Sequence, residues 1–173
     1  MKILILYASH GGATKKCAEL IKERLEKNHE ITLTDARAEQ NLPSPSEFDV
    51  CVLGSSIRFT KVNKQIKEFM RTNAEILSKM PSAFFLCCGF PSASEDYIEM
   101  QIPKELTLSL GAHCFGGELK PAKLKGFDKL IVRLMRSNLK SQDFEESDDD
   151  HLPIPEILPE SIDRLCDNIR KLS

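Results

Sequence analysis

The sequence lacks several features that would assign its class at once. It has no apolar run near the ~20 residues that a membrane span requires. Its net charge of −2 over 173 residues gives no excess of either sign. Its six cysteines include no CxxC pair. These absences argue against a membrane-spanning segment, an electrostatic binder of nucleic acid, and a zinc or thioredoxin-type motif.

The composition is that of an ordinary globular protein. Hydrophobic residues make up 41% of the chain and charged residues 29%, which excludes wholesale disorder and fibrous repeats. The apolar part of Met1–Tyr7 is too short for a signal peptide and is followed at once by patterned sequence. We therefore expect one cytoplasmic domain over residues 1–173.

Apolar runs of strand length alternate with segments of helical period. The predicted strands are Lys2–Tyr7, Ile31–Asp35, Val50–Gly54, Ala83–Cys88 and Ala112–Leu119. The predicted helices are Thr14–Lys27, Lys64–Met80, Ser94–Leu110 and Glu160–Leu172. This alternation predicts an α/β fold with a doubly wound, five-stranded parallel sheet of order 2-1-3-4-5 in a three-layer αβα arrangement. In such a sheet, ligands bind beyond the carboxyl ends of the strands.

A glycine-containing loop, Ser9–Thr14, joins the first predicted strand to the first helix. Its amides and hydroxyls, together with a helix N-terminus, can form a cradle for a phosphate. The alternative is a plain glycine-rich turn. The chain has neither GxGxxG nor GxxxxGK[ST], which argues against NAD and ATP. Gly54 and Ser55 stand where a receiver domain needs its aspartate, and there is no GxSxG elbow, so a mononucleotide remains.

The segment Tyr7–Thr14 resembles the phosphate loop of flavodoxins, whose pattern is Thr/Ser-x-Thr-Gly-x-Thr, with Thr14 at the final position. The match departs at Gly11, where flavodoxins usually carry a hydroxyl residue. The resemblance implies a flavodoxin-like fold and FMN as the cofactor. It assigns the FMN phosphate to Ser9, His10, Gly11, Gly12, Ala13 and Thr14.

Further blocks resemble the menaquinone-dependent protoporphyrinogen IX dehydrogenases, a flavodoxin-like family. They are Leu53–Phe59, Met80–Phe85, Gly116–Leu119 and the segment from Asp128 to Met135. The resemblance implies an FMN-dependent oxidoreductase that passes electrons to a quinone or protein acceptor. One alternative is a flavodoxin-type electron-transfer protein without its own small-molecule substrate. Another is an interaction domain that binds no flavin.

In the flavodoxin-like arrangement, the loops after the third and fourth strands border the flavin ring. The residues assigned to the ring are therefore Ser55, Ser56, Ile57, Arg58, Phe59, Cys88, Gly89, Phe90 and Tyr97. The chain has no tryptophan for stacking, so an aromatic residue of these loops would serve, unless it belongs to the core. A guanidinium at Arg58 would stabilise the negative charge of a reduced flavin and raise its two-electron potential; otherwise Arg58 is a solvated loop residue.

A basic helix is predicted at about 120–140, followed by an acidic linker at 143–150. The apolar stripe of this helix lies beside a basic face, which can dock on an anionic membrane surface where a quinone is found. This predicts weak peripheral contact with the inner face of the membrane. The basic face could equally attract the propionates of a porphyrinogen. In the other interpretation the helix packs on the domain and its charges are solvated. The oligomeric state is left open.

Most of the cysteines lie within apolar periodic segments, where a thiol acts as a small hydrophobic group. Cys87 and Cys88 differ, because they end an apolar run just before a glycine. A role in redox chemistry stays open for these two, and no catalytic side chain is assigned.

Overall fold

The structure is a computed structural model that describes residues 1–58, 61–88, 98–117 and 156–172. Several sequence predictions lie outside these residues. They concern Phe59, Gly89, Phe90, Tyr97, the side chain of Arg58, the basic helix at 120–140 and the acidic linker at 143–150. Among the described residues, no helix is both long and apolar enough to cross a membrane.

The sheet has the predicted order. Its strands are β1 (Lys2–Ala8), β2 (Glu30–Asp35), β3 (Val50–Arg58), β4 (Lys61–Val62), β5 (Ser82–Cys87) and β6 (Ala112–Cys114). They are arranged β2-β1-β3-β5-β6, and the neighbours on this path are parallel. The short β4 pairs antiparallel with β3. The 2-1-3-4-5 order of the main strands is confirmed.

Helices cover both faces of this sheet. They are α1 (Ala13–Leu25), a 3₁₀ turn (Pro45–Glu47), α2 (Lys64–Thr72), α3 (Ala74–Lys79) and α4 (Pro159–Arg170). The single helix predicted for Lys64–Met80 is interrupted at Asn73, where φ is −108° and ψ is 17°. The Phe69 carbonyl accepts from both the Asn73 amide at 3.1 Å and the Asn73 side chain at 3.0 Å, so Asn73 closes α2 while its backbone leaves the helical conformation.

Two buried clusters lie on opposite sides of the sheet, because neighbouring residues of a strand point to opposite faces. Ile3 and Ile5 of β1 pack with α1 and α4, whereas Leu4 and Leu6 pack with α2 and α3. The helical residues of the first cluster are Cys17, Ala18, Ile21, Leu25, Ile162, Leu165, Cys166 and Ile169. Those of the second are Ile66, Phe69, Met70 and Leu77.

Two predicted elements are shorter in the structure. The strand predicted for Ala112–Leu119 ends at Cys114, and Gly116 (φ 69°) then pairs antiparallel with Ile157 instead of continuing beside β5. In the predicted helix Ser94–Leu110, the described part is helical only at residues 98–99. Pro103, which lacks an N–H and fixes φ, and the left-handed Gly111 (φ 77°) lie in the turns that follow.

Candidate functional site

The described members of the predicted site lie at the carboxyl ends of three adjacent parallel strands. Ala8 of β1 is in register with Ser55 of β3, and Ser56 is in register with Cys87 of β5. Ser9 follows β1 directly and Cys88 follows β5. The order of the sheet therefore brings the Ser9–Thr14 loop, the serines of β3 and Cys88 to one edge.

The Ser9–Thr14 loop is held by its own hydrogen bond. The Gly12 amide donates to the Ser9 hydroxyl at 3.1 Å, and Gly12 adopts a left-handed conformation (φ 99°) as the N-cap of α1. This backbone angle favours glycine. The Ser9 hydroxyl thus shapes the loop, while a Cβ built at Gly11 or Gly12 would meet no atom within 4 Å. The outer side of the loop is open.

Thr14 lies at the base of this loop, within the first turn of α1. Thr14 is 0% exposed, yet its hydroxyl makes no hydrogen bond to any residue that the structure describes. The hydrogen bond to Cys17 and then burial raise the pKa of the nearby Cys87 thiol, and the Thr14 hydroxyl opposes this rise, although the geometry between Thr14 and Cys87 is not that of a hydrogen bond. A buried hydroxyl without a partner costs about 1–3 kcal/mol, so Thr14 is a strong candidate for contact with a ligand.

Among the described contacts, no side chain caps the N-terminus of α1. Gly12 offers no side chain as a cap, and the first turn contains no acidic residue. Lys15 and Lys16 occupy that turn instead, where the helix dipole disfavours cations. In the described part of the chain, Lys15 pairs with the exposed Glu19 at 3.7 Å. A bound anion would satisfy the amides and offset the positive charge.

Sequence reasoning missed Arg37, which follows β2. Its guanidinium donates to the Ser9 carbonyl, and its own amide donates to Asp35 at 3.0 Å. On the neighbouring strand, burial and then the Asp35 carboxylate raise the pKa of Tyr7. The adjacency of β2 and β1 in the predicted order was the signal that could have identified it.

The segment predicted as a loop after the third strand is part of the sheet. Ser55–Arg58 continue β3, because Ile57 and Arg58 pair with Val62 and Lys61 of β4. The Ser55 hydroxyl accepts from the Asn63 amide and donates to the Ser56 carbonyl, both at 3.0 Å. Ser55 therefore holds the β3–β4 hairpin against α2, and its hydroxyl is occupied.

Ser56 differs from its neighbour. Its hydroxyl oxygen is buried and has no hydrogen-bond partner in the described part of the chain. Ser56 lies beside Cys87 across the β3–β5 pair, and Thr14 also lies beside Cys87. Among the described residues, two hydroxyls without a hydrogen-bond partner, those of Thr14 and Ser56, therefore lie near Cys87 at the carboxyl edge. The sequence placed both in the site but could not distinguish Ser56 from Ser55.

Cys88 is half-buried after the end of β5, and its sulfur lies 3.5 Å from that of Cys114 on β6. His10 and Gly11 are exposed at the top of the loop, and Ala13 begins α1. The structure therefore brings together the described members of the predicted set, with Ile57 half-buried on the β3–β4 hairpin.

A family model described as a flavodoxin domain matches residues 4–146 of this chain. The protoporphyrinogen IX dehydrogenase [quinone] of Escherichia coli K12 is 33% identical over 86 residues, which are 49% of this chain and 47% of that protein. The chain thus matches about half the length of its curated relatives.

Two solved structures share the fold. The two-electron reduced flavodoxin of Megasphaera elsdenii superposes with a TM-score of 0.54 at 18% identity, covering 65% of this chain and 84% of that one. Rubredoxin oxygen:oxidoreductase of Desulfovibrio gigas gives a TM-score of 0.53 at 14% identity, covering 81% of this chain and 36% of that one. At these identities, the likeness concerns the fold.

Proposed function

This chain belongs to the flavodoxin domain family, and we propose that it binds FMN at the Ser9–Thr14 loop and acts as an oxidoreductase. The observation that carries the proposal is the buried Thr14 hydroxyl, which has no hydrogen-bond partner among the described residues. A phosphate oxygen bound at the loop would accept a hydrogen bond from the Thr14 hydroxyl. The uncapped start of α1 would supply amide donors to the same group.

The residues present fit a phosphate ester better than a neutral ligand. The loop offers a hydroxyl, helix amides and two adjacent lysines, and the first turn of α1 brings no carboxylate that would repel an anion. The space above Gly11 and Gly12 is open. Arg37 adds a cation that is already fixed to the Ser9 carbonyl, so the loop is preorganised before any ligand arrives.

Bound FMN would supply hydride and one-electron chemistry that no side chain provides. The protein would hold the phosphate with Thr14 and meet the flavin with the Ser56 hydroxyl and the loop that begins at Cys88. Ser55 would contribute indirectly, because its hydroxyl positions the β3–β4 hairpin through Asn63. Arg58, Phe59, Gly89, Phe90 and Tyr97 remain proposed contacts to the flavin on sequence grounds alone.

We propose that electrons pass through the flavin to a quinone or protein acceptor. The similarity to the Escherichia coli dehydrogenase supports this class of reaction, and the near-neutral charge of −2 fits it better than a strongly acidic electron carrier. The direct test supplies FMN-loaded protein with protoporphyrinogen IX and a soluble menaquinone analogue. Porphyrin formation that depends on the quinone is expected; its absence, with intact FMN binding, would favour the electron-transfer alternative.

FMN is expected to bind at least about a hundredfold more tightly than riboflavin, because only FMN has the phosphate. Each charge-assisted hydrogen bond contributes about 1.5–3 kcal/mol, and tenfold in affinity corresponds to about 1.4 kcal/mol. Quenching of flavin fluorescence on titration with the purified chain measures both constants. Equal affinities would remove the phosphate from the recognition and with it the assignment of the loop.

Gly11→Asp is expected to weaken FMN binding about tenfold or more, because a carboxylate on the loop would repel the phosphate. The free energy of unfolding of the apoprotein should stay within about 0.5 kcal/mol, since the added Cβ meets no protein atom within 4 Å. Lys27→Ala, at an exposed position just beyond α1, is the control and should change neither quantity. Unchanged FMN binding in Gly11→Asp would place the phosphate elsewhere.

A further inference from the structure

Four of the cysteines form two close thiol pairs. The Cys87 sulfur lies 3.6 Å from that of Cys17, and the Cys88 sulfur lies 3.5 Å from that of Cys114. One member of each pair lies at the end of β5, where Cys87 is the last residue of the strand and Cys88 follows it. Because neighbouring residues of an extended chain point to opposite faces, Cys87 turns toward α1 and Cys88 toward the face on which Cys114 packs.

The Cys17–Cys87 pair is poorly suited to exchange. Cys17 is 0% exposed and Cys87 is 5% exposed, so an incoming disulfide cannot approach either sulfur. The hydrogen bond from Cys87 to Cys17, followed by burial, raises the pKa of the Cys87 thiol well above its usual value. Since the thiolate is the nucleophile, this pair is expected to stay reduced.

The remaining cysteines have no close partner thiol among the described contacts and are similarly protected. Burial raises the pKa of Cys51 to about 12 and that of Cys166 to about 11. Both are 0% exposed within the two cores. They belong to the hydrophobic packing and serve as internal references for any reaction at the other sulfurs.

Cys88 and Cys114 meet the requirements for a reversible bond. Both are half-buried, so each has some access to solvent. They lie on adjacent parallel strands or their ends, since Leu86 is in register with Cys114 and Cys88 is two residues further along. The sulfurs are already near van der Waals contact. We propose that Cys88 and Cys114 form a dithiol–disulfide couple that reacts with low-molecular-weight disulfides such as oxidised glutathione.

The reaction balances through two thiol–disulfide exchanges. The thiolate of one cysteine attacks a sulfur of the oxidised glutathione, a mixed disulfide forms, and one glutathione thiolate leaves and takes up a proton. The second cysteine, as its thiolate, then attacks the protein sulfur of the mixed disulfide and releases the second glutathione. Two electrons pass from the protein sulfurs to the reagent, and the protein loses two hydrogen atoms.

This couple goes beyond the proposed FMN function and does not depend on it, because no flavin enters the exchange. The new bond would join the residue that follows β5 to the edge strand β6. It would lie at the same carboxyl edge as the Ser9–Thr14 loop. The Cys88–Cys114 pair would therefore change its oxidation state at the border of the proposed FMN site.

The test incubates the full chain, without added flavin, in buffers of graded oxidised-to-reduced glutathione ratio, followed by acid quenching and alkylation of the remaining thiols. Mass spectrometry of the intact protein should show the loss of two hydrogen atoms, and peptide mapping should identify a Cys88–Cys114 bond. Cys17, Cys51, Cys87 and Cys166 should be recovered alkylated. The map of the unmodified protein assigns the bond without requiring any variant to fold.

Two variants complete the design. Cys114→Ser should abolish the loss of two hydrogens, whereas Cys17→Ala, which breaks up the buried pair, should retain it. A Cys17–Cys87 bond, any other internal bond, or only mixed disulfides at every ratio would overturn the proposal. So would complete alkylation of Cys88 and Cys114 under the most oxidising buffer. The mass readout is independent of FMN, so a failure of the proposed function would leave this result intact.

Discussion

Gly116→Ala is expected to lower the free energy of unfolding by about 3–5 kcal/mol, one of the largest effects available from a single added methyl group. Gly116 has φ of 69°, which is costly for any residue with a Cβ. A Cβ built there would also lie 2.0 Å from the Glu156 carbonyl oxygen. That neighbour is backbone, so it cannot move aside by changing rotamer. Urea denaturation of the purified variant measures the loss.

The clash would open the pairing of residues 115–117 with residues 156–158. There the Leu158 amide donates to the Phe115 carbonyl at 2.9 Å, and the Gly117 amide donates to the Glu156 backbone carbonyl at 3.3 Å. This pairing immediately precedes α4, whose apolar face completes the first core cluster. Loosening it would therefore also weaken the packing of α4 on α1.

Gly111→Ala is the matched control. Gly111 has a similar φ of 77°, but its Cβ would meet only the His113 ring, at 4.0 Å. The free energy of unfolding of Gly111→Ala should fall only by the cost of a left-handed backbone with a Cβ, about 1–2 kcal/mol. An equal loss of stability in the two variants would show that backbone conformation alone causes the effect. The pairing of residues 115–117 would then move away from the added Cβ without destabilising the protein.

The order of the sheet could be predicted because each parallel strand is covered on both faces and therefore reads as a nearly continuous apolar run. Lys2–Ala8 and Ser82–Cys87 are of this kind, and their predicted bounds were right to within one residue. The extension of β3 to Arg58 could not be predicted in this way. It depends on pairing with the two-residue β4, which is too short to carry a pattern.

Local sequence is enough to locate the loop of the candidate site, whereas the tertiary contacts around that loop cannot be predicted from it. The Ser9–Thr14 loop follows from glycines between a strand and a helix. Arg37 was missed because its contact with Ser9 joins residues 28 positions apart. The sequence could not distinguish Ser55 from Ser56 for the same reason, because the Asn63 amide donates to the Ser55 hydroxyl and not to that of Ser56.

Thr14→Val is expected to move FMN affinity and protein stability in opposite directions. The FMN dissociation constant should rise roughly 10- to 100-fold, because a hydrogen bond to a charged phosphate is lost. The apoprotein should become more stable by about 1 kcal/mol, because valine removes a buried hydroxyl that has no partner and keeps the shape of the side chain. Fluorescence titration with FMN and urea denaturation without it measure the two effects.

Thr14→Ser is the control that separates the hydroxyl from the methyl group. It retains the donor, so FMN binding should change by no more than about threefold, whereas lost packing should lower stability by about 0.5–1.5 kcal/mol. A residue with a purely structural role would behave differently, since removing its hydroxyl would destabilise the apoprotein and weaken FMN binding only through that loss. If Thr14→Val is less stable without ligand, or binds FMN as tightly as the unmodified chain, then the hydroxyl serves the fold and the phosphate lies elsewhere.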